Sequence, residues 1–478
     1  MMDTPQEIKT ILEKLRNGGY DGYAVGGCVR DLLMDRKPSD WDVTTNAAPE
    51  KLQELFSESF YENNFGTVTV KIDSDDPTLK EVQVTPYRIE GRYSDKRHPD
   101  EIKFADKLED DLSRRDFTVN ALALSSEGEL TDLFDGQSDI KNKAIRTVGN
   151  PEERFGEDAL RLLRAVRFAA TLDFDIVDDT FIAIKKNAGW LEAISKERIR
   201  DELVKIIESD KAYEGVLLLE ELGLLKHIVP ELREGIGIAQ NLHHIYSVWE
   251  HNLLALKYAA DKKYSLDIRM ASLLHDIGKP KTKRGEGRQC TFYGHDVVGA
   301  RITAQILERL KFPKDFIEKV SKLVRYHLFY YNVGEVTASS VRRLLANVGP
   351  ENIEDLLKVR EADRIGSGVP KAVPYKLRHL KYMIDKVMND PISVKMLKLN
   401  GTELMETIGI APGPMVGLIL SSLLADCLDD PSRNTKEYLA QRAKELIQKT
   451  PDEMKRALEV IEEAQQKEEE ERMKKYYI

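Results

Sequence analysis

The sequence predicts an α+β protein: a mixed-sheet head over about the first 150 residues, then helix almost throughout. Two observations carry this. Short β-type runs, at 23–25, 41–45, 67–72 and 81–85, concentrate in the first third of the chain, with a helical stretch at 49–56 between them. After Pro151 apolar residues recur at spacings of three and four, over 157–172, 196–208, 248–260 and 266–274. The length, 478 residues, allows about three structural units at roughly 150 residues per domain and a core that needs no disulfide.

Taken in order, the chain opens on an amphipathic helix that ends at Gly18-Gly19. It has no apolar h-region, so no signal peptide is expected. No run of 18 apolar residues occurs, which excludes a membrane-spanning helix. The three cysteines, Cys28, Cys290 and Cys427, are far apart and lack a CxxC pair, which argues against a thiolate zinc site and fits a reducing cytoplasm. A net charge of −10 argues against a non-specific coat on nucleic acid, but binding depends on local patches. One such patch exists: seven Lys/Arg against two Asp between Lys371 and Lys398. On its own it is equally a solvated helix face. The chain closes on a charged helix over 452–475.

Chemistry concentrates first around Tyr23-Ala24-Val25-Gly26-Gly27, where a strand turns into a helix that carries Arg30. Glycine lets the backbone approach a ligand closely, a helix N-terminus favours anions, and Arg30 can add a charge-assisted contact to phosphate. Some ten residues on, Asp40-Trp41-Asp42 opens a β-run, and residues i and i+2 of a strand face the same side. Two carboxylates so close call for a cation between them, and hard oxygen donors suit Mg²⁺. A bare Asp-x-Asp is otherwise a surface acid pair.

The order strand, Gly-Gly, helix, Asp-x-Asp resembles the polymerase beta-type nucleotidyltransferases. Three later motifs narrow the resemblance: 111–123, with Arg115, Asp116 and Asn120; 132–139; and 154–169, with Glu157, Asp158, Arg161, Arg164 and Arg167. Together they resemble the class II tRNA nucleotidyltransferases, the CCA-adding enzymes and their bacterial poly(A) polymerase relatives. The resemblance implies addition of CCA to tRNA 3′ ends from CTP and ATP, with release of pyrophosphate, by two-metal transfer. It also implies that Asp40 and Asp42 hold Mg²⁺ and that Asp158 and Arg161 pair with the incoming base. Gly27, Arg30, Arg115, Arg164 and Arg167 would bind the nucleotide. Spacings of three place Asp158, Arg161, Arg164 and Arg167 along one drifting face of a helix that starts near Glu157; without the upstream motifs this is an ordinary salt-bridge ladder.

One departure is Gln83, where such enzymes often carry a third carboxylate; Glu81, two residues earlier on the same strand face, is a candidate substitute. Residues 88–100 resemble the flexible loop tied to switching from C to A addition. Residues 56–70 lack the basic stretch usual in the poly(A) polymerase subgroup, which favours the tRNA enzyme.

A second constellation falls between 240 and 365, which holds six of the nine histidines. His251, the adjacent His275-Asp276, then His295, His327 and Asp363 resemble the HD phosphohydrolases, which bind a divalent metal in a helical bundle. The resemblance implies a second metal site on His251, His275, Asp276 and Asp363, and a phosphohydrolase activity; the alternative is a metal-free helical body that keeps these residues for packing. Residues 396–417 resemble the tRNA-gripping tail of the same family, which makes the basic patch a tRNA contact. The expected division is therefore a head, 1–150; a neck with the nucleotide-selecting helix, 151–225; an HD-type domain, 226–370; and an RNA-binding tail, 371–478.

Overall fold

The computed structural model describes residues 4–61, 66–90, 102–240, 245–287, 290–329, 331–368 and 373–476. The segment 91–100, most of the expected flexible loop, lies outside them. The chain divides into two compact units. The first comprises Met1–Glu234 with the short returns Ala260–Leu266 and Ile306–Pro313; the second comprises Gly235–Ala259, Asp267–Gln305 and Lys314–Ile478.

The first unit opens with helix α1 (Gln6–Asn17), strand β1 (Gly22–Val25), α2 (Gly27–Leu33), β2 (Asp42–Thr45), α3 (Pro49–Leu55), β3 (Ser59–Tyr61), β4 (Val68–Lys71) and β5 (Glu81–Pro86). It continues through β6 (Arg88–Glu90), β7 (Ile102–Phe104), α4 (Leu108–Ser113), β8 (Leu122–Leu124), β9 (Leu130–Asp132), α5 (Gly136–Lys141) and β10 (Ala144–Ile145). Seven of the described strands form one sheet in the order β3-β4-β5-β2-β1-β8-β9. The β2–β5 pair is parallel, with Asp42 opposite Gln83, and its neighbours are antiparallel, which makes the sheet mixed as expected. Alternation along β2 and β5 sorts the two faces. Val43, Val82 and Val84 pack into a core with Ile8, Ile11, Leu12 and Leu15 of α1, whose spacing puts them on one helix face. Asp42, Thr44, Gln83 and Thr85 fall on the other face, where the site forms.

Helices follow: α6 (Pro151–Glu157), α7 (Arg161–Leu172), α8 (Asp178–Asn187), α9 (Lys196–Glu208) and α10 (Ala212–Glu221), with the short strand β11 (Asp175–Ile176) beside β10. The single helix expected from Glu157 is in fact two. Asp158 is extended (φ −138°, ψ 106°), and its Oδ1 accepts the Leu160 N–H at 3.0 Å. An aspartate competes in this way with the helical ladder, so α6 stops at Glu157 and α7 starts afresh at Arg161. Phe117, fully buried, meets Phe168 of α7 edge to face at 5.6 Å between centroids. Phe117→Ala is expected to cost about 3–5 kcal/mol, read as a lowered urea midpoint.

Beyond α11 (Leu225–Ile228) and α12 (Pro230–Arg233) the chain is helical: α13 (Val248–Asp261), α14 (Leu266–Leu274), α15 (Lys279–Thr282), α16 (His295–Arg309), α17 (Lys314–Tyr326), α18 (Ala338–Val348), α19 (Ile353–Gly366), α20 (Tyr375–Val387), α21 (Gly401–Ile408), α22 (Pro414–Asp429), α23 (Lys436–Leu446) and α24 (Pro451–Tyr476). Leu404, Ile419, Leu423, Leu439 and Leu446 join α21, α22 and α23 in a separate core. Among the described residues no helix is long and apolar enough to cross a membrane.

Candidate active site

Strand β1 delivers the chain to Gly26, at φ +81°, a region that L side chains rarely adopt. A Cβ there would also stand 2.9 Å from Nη1 of Arg115. The turn launches α2, and Arg30 one turn in donates from Nη1 to Asn120 Oδ1 at 2.7 Å. Asn120 Nδ2 donates to Asp116 Oδ1 at 3.2 Å, and Asp116 Oδ2 accepts from Arg164 Nε and Nη2 at 2.8 and 2.5 Å. Arg30, Asn120, Asp116 and Arg164 thus form one chain of hydrogen bonds from α2 to α7. Burial alone would favour the neutral acid of Asp116, but the Arg164 and Arg161 guanidinium groups outweigh it and hold the carboxyl far below its usual range.

Next to this chain lies a cavity of about 370 Å³. Asp42, Thr44, Gln83 and Thr85 line its sheet side, and Asp116, Asp158 and Leu160 line it from elsewhere. Among the described residues six arginines reach it, Arg88, Arg114, Arg115, Arg161, Arg164 and Arg198, against three aspartates. The described lining is therefore rich in arginine, several of them paired with acids behind it, although the whole chain is acidic. Asp42 is the exception within it. Burial pushes its carboxyl up to about 6, Arg115 pulls it down and neighbouring Asp40 pushes it further up. Strand β2 begins only at Asp42, so Asp40 sits on the bend before it; Trp41 between them turns into the core. A carboxylate that is desolvated and crowded by a second one is stabilised by a divalent cation, so the donor set fits one.

The second constellation lies in the second unit. Nε2 of His251 and Nε2 of His275 are 2.8 Å apart. Asp276 Oδ2 is 3.1 and 3.3 Å from them, and Asp363 Oδ1 is 3.3 and 3.7 Å away. Atoms that share an ion at about 2.1 Å stand about 3.0–3.4 Å apart, so the spacing suits a common metal. The other oxygen of Asp276 faces a second trio: His295 Nε2 at 3.3 Å and His327 Nε2 at 3.6 Å. His275, His295 and His327 each set Nδ1 at 2.7–2.8 Å from the carbonyl three residues back, which turns Nε2 to the cluster. Burial pushes the His275 imidazole down, but Asp276 and Asp363 outweigh it and raise it to about 10.

Comparison with known proteins gives a concordant picture. The chain matches the model of the poly A polymerase head domain over residues 22–146, the probable RNA- and SrmB-binding site of polymerase A over 173–236, and the HD domain over 242–366. A CCA-adding enzyme of Ligilactobacillus salivarius is 35% identical over 451 residues, covering 93% of this chain and 98% of that protein. The chain belongs to the CCA-adding enzyme family. An A-adding tRNA nucleotidyltransferase of Deinococcus radiodurans is 38% identical over 340 residues, 68% of this chain and 76% of that one. Among solved structures, the CCA-adding enzyme of Bacillus stearothermophilus in complex with CTP superposes with a TM-score of 0.65 at 28% identity, covering 93% of this chain and 98% of that one.

Within this CCA-adding frame, the structure gathers Asp42, Arg115, Asp158, Arg161 and Arg164 around the cavity. Asp40 is not among the described lining residues but stands close enough to act on Asp42. Arg30 reaches the site through Asn120, and Gly27 opens α2 beside it. Arg167 is not among the described lining residues: its Nε lies 2.7 Å from the buried Glu202 of α9, and its guanidinium packs on the Phe168 ring, which Arg30 and Arg164 also flank. Of the face expected to carry Asp158 and the three arginines together, Asp158 stands off the helix, while Arg161, Arg164 and Arg167 keep their spacing of three on α7. Gln83 takes the place beside Asp42 that a third acid would take, and Glu81 is not among the described lining residues. Arg198 of α9 was not anticipated; it clasps Asp158 through Nη1 at 3.3 Å and Nη2 at 2.6 Å. Arg198 shares α9 with Arg200, and no local sequence signal marks the one that reaches Asp158. His295 and His327 complete the histidine cluster beyond the four expected ligands.

Proposed function

We propose that the head cavity restores the 3′-terminal CCA of tRNA from CTP and ATP, with release of pyrophosphate. The observation that carries this is Asp42, with Asp40 close enough to act on it, in a cavity whose described lining holds six arginines. Asp40 and Asp42 would hold Mg²⁺, with Gln83 alongside. When bound, the metal supplies charge neutralisation for the triphosphate and activation of the attacking 3′-hydroxyl. Arg115 and Arg164 face the triphosphate, and the Gly26–Gly27 turn lets it approach the start of α2. Arg30 acts through Asn120, and Arg167 braces α7 against α9. Asp158 accepts from the exocyclic amine that C and A share, and Arg161 donates to the ring edge. Arg198 orients that carboxylate.

Incubation with tRNA transcripts that lack one, two or three terminal nucleotides tests the reading: all three are expected to finish in CCA. Addition of A alone would assign the A-adding activity, and extension past the last adenosine would assign a poly(A) polymerase. Asp158→Ala is expected to reduce the preference for CTP and ATP over UTP and GTP by about 10–100-fold, from the ~1–3 kcal/mol of a good base contact. Unchanged selectivity would remove Asp158 from base reading.

A second activity is favoured by the two histidine trios that share Asp276. His251, His275, Asp276 and Asp363 would hold one divalent metal and His295 and His327 a second, for hydrolysis of 2′-phosphates or 2′,3′-cyclic phosphates on RNA ends. The four-part division into head, neck, HD-type domain and tail follows the same reading. Three free buried cysteines suit a cytoplasmic enzyme.

A further inference from the structure

Helix α20 carries a surface that neither the cavity nor the histidine cluster uses. Leu377, Leu380, Ile384 and Val387 are buried, which orients the helix and turns its remaining faces outward. Tyr375, His379, Tyr382 and Lys386 recur at intervals of four, three and four, one continuous face. Tyr375 is 61% exposed and Tyr382 60%, high values for such large rings. Both ring centroids lie 6.1 Å from that of His379. Tyr331, ahead of α18, sets its hydroxyl on His379 Nδ1 with the centroids 5.9 Å apart, which fixes the imidazole between the tyrosines. Lys376, Arg378 and Lys386 are exposed on the same helix, against Asp385 as its acid.

We propose that this stripe is a stacking platform for unpaired bases of the tRNA. Every base has a π-face that stacks on an aromatic ring, and cations interleaved with the rings match the phosphates between bases. The chain as a whole carries −10, so its attraction for a polyanion must come from local surfaces of this kind. The proposal rests on tRNA being the substrate, as argued above.

The test uses the full chain and a tRNA transcript that lacks CCA. The Tyr375→Ala/Tyr382→Ala variant is expected to raise Kd in filter binding, and KM for tRNA, by about 10-fold or more. Its KM for CTP, its kcat at saturating tRNA and its circular dichroism spectrum stay as in the wild type. Tyr375→Phe/Tyr382→Phe keeps wild-type affinity, because the ring and not the hydroxyl stacks. Arg378→Gln/Lys386→Gln lowers the salt dependence of binding, which the tyrosine variants leave intact. An unchanged Kd in the Ala variant overturns the proposal, as does an equal loss in the Phe variant. So does an effect confined to hydrolysis of a nucleoside 2′,3′-cyclic phosphate, which would make the tyrosines part of the histidine site. If the wild type added no nucleotide at all, the CCA reading would fail, while the binding arm would still decide the platform.

Discussion

The Asp42→Asn enzyme is expected to lose CCA addition by at least ~10³-fold, about 4 kcal/mol of transition-state stabilisation, with its fold intact. The side chain keeps its shape and loses only its charge. In the absence of a cation that charge is opposed by burial and by Asp40. The amide relieves this opposition, so the thermal midpoint measured in EDTA should stay level or rise. The wild type should gain thermal stability on addition of Mg²⁺, and the variant should lose most of that gain, since binding to the native state is what shifts the midpoint. Asp40→Asn should behave alike in activity. Its exposed position on the bend before β2 gives it less influence on the metal-free midpoint. Retained activity in the double variant would remove the pair from the chemistry and leave the histidine cluster as the main site.

These residues differ in how far their order in the chain reveals their place. The head was legible because β2 and β5 alternate: valines enter the core, and Asp42 and Gln83 are left in register on the opposite face. Gly26 was legible because a Gly-Gly turn from strand to helix lets the backbone approach a ligand closely; its positive φ shows only in the fold. Asp158 was misplaced because its helical neighbours hide a break, which its own side chain makes by accepting from Leu160. Arg167 has the expected spacing, and its ion pair with Glu202 of α9 is the part that the spacing does not reveal. That ion pair, like Arg198 on Asp158, joins α7 or its N-terminal junction to α9 across tens of residues of chain. No local pattern encodes such a partner. The histidines show the opposite case. Six elements of the set stand in one frame, but only the folded helices show that Asp276 presents a different oxygen to each trio.

That double role makes Asp276 the position with the largest expected effect in the second unit. Asp276→Asn should lower the divalent metal retained by the purified protein at both trios, because one substitution removes the charge that each needs. Hydrolysis of a 2′,3′-cyclic phosphate should fall by about 10³-fold or more, while extension of tRNA in the head continues at wild-type kcat. His327→Gln supplies the contrast. It belongs to the trio with His295, so it should lower the bound metal while leaving the ion on His251, His275, Asp276 and Asp363 in place. Lys279 Nζ lies 2.6 Å from Asp276 Oδ2 and 2.6 Å from Gln240 Oε1, so the amide of the Asn variant can still accept from it and the helices should hold together. Lys279→Met then separates packing from metal binding: it removes the cation that competes for the shared carboxylate, and metal content should hold or rise. Equal metal content in wild type and Asp276→Asn would mean that the cluster is a buried ion network, in which imidazolium and lysine already balance the aspartates and no divalent ion has a place.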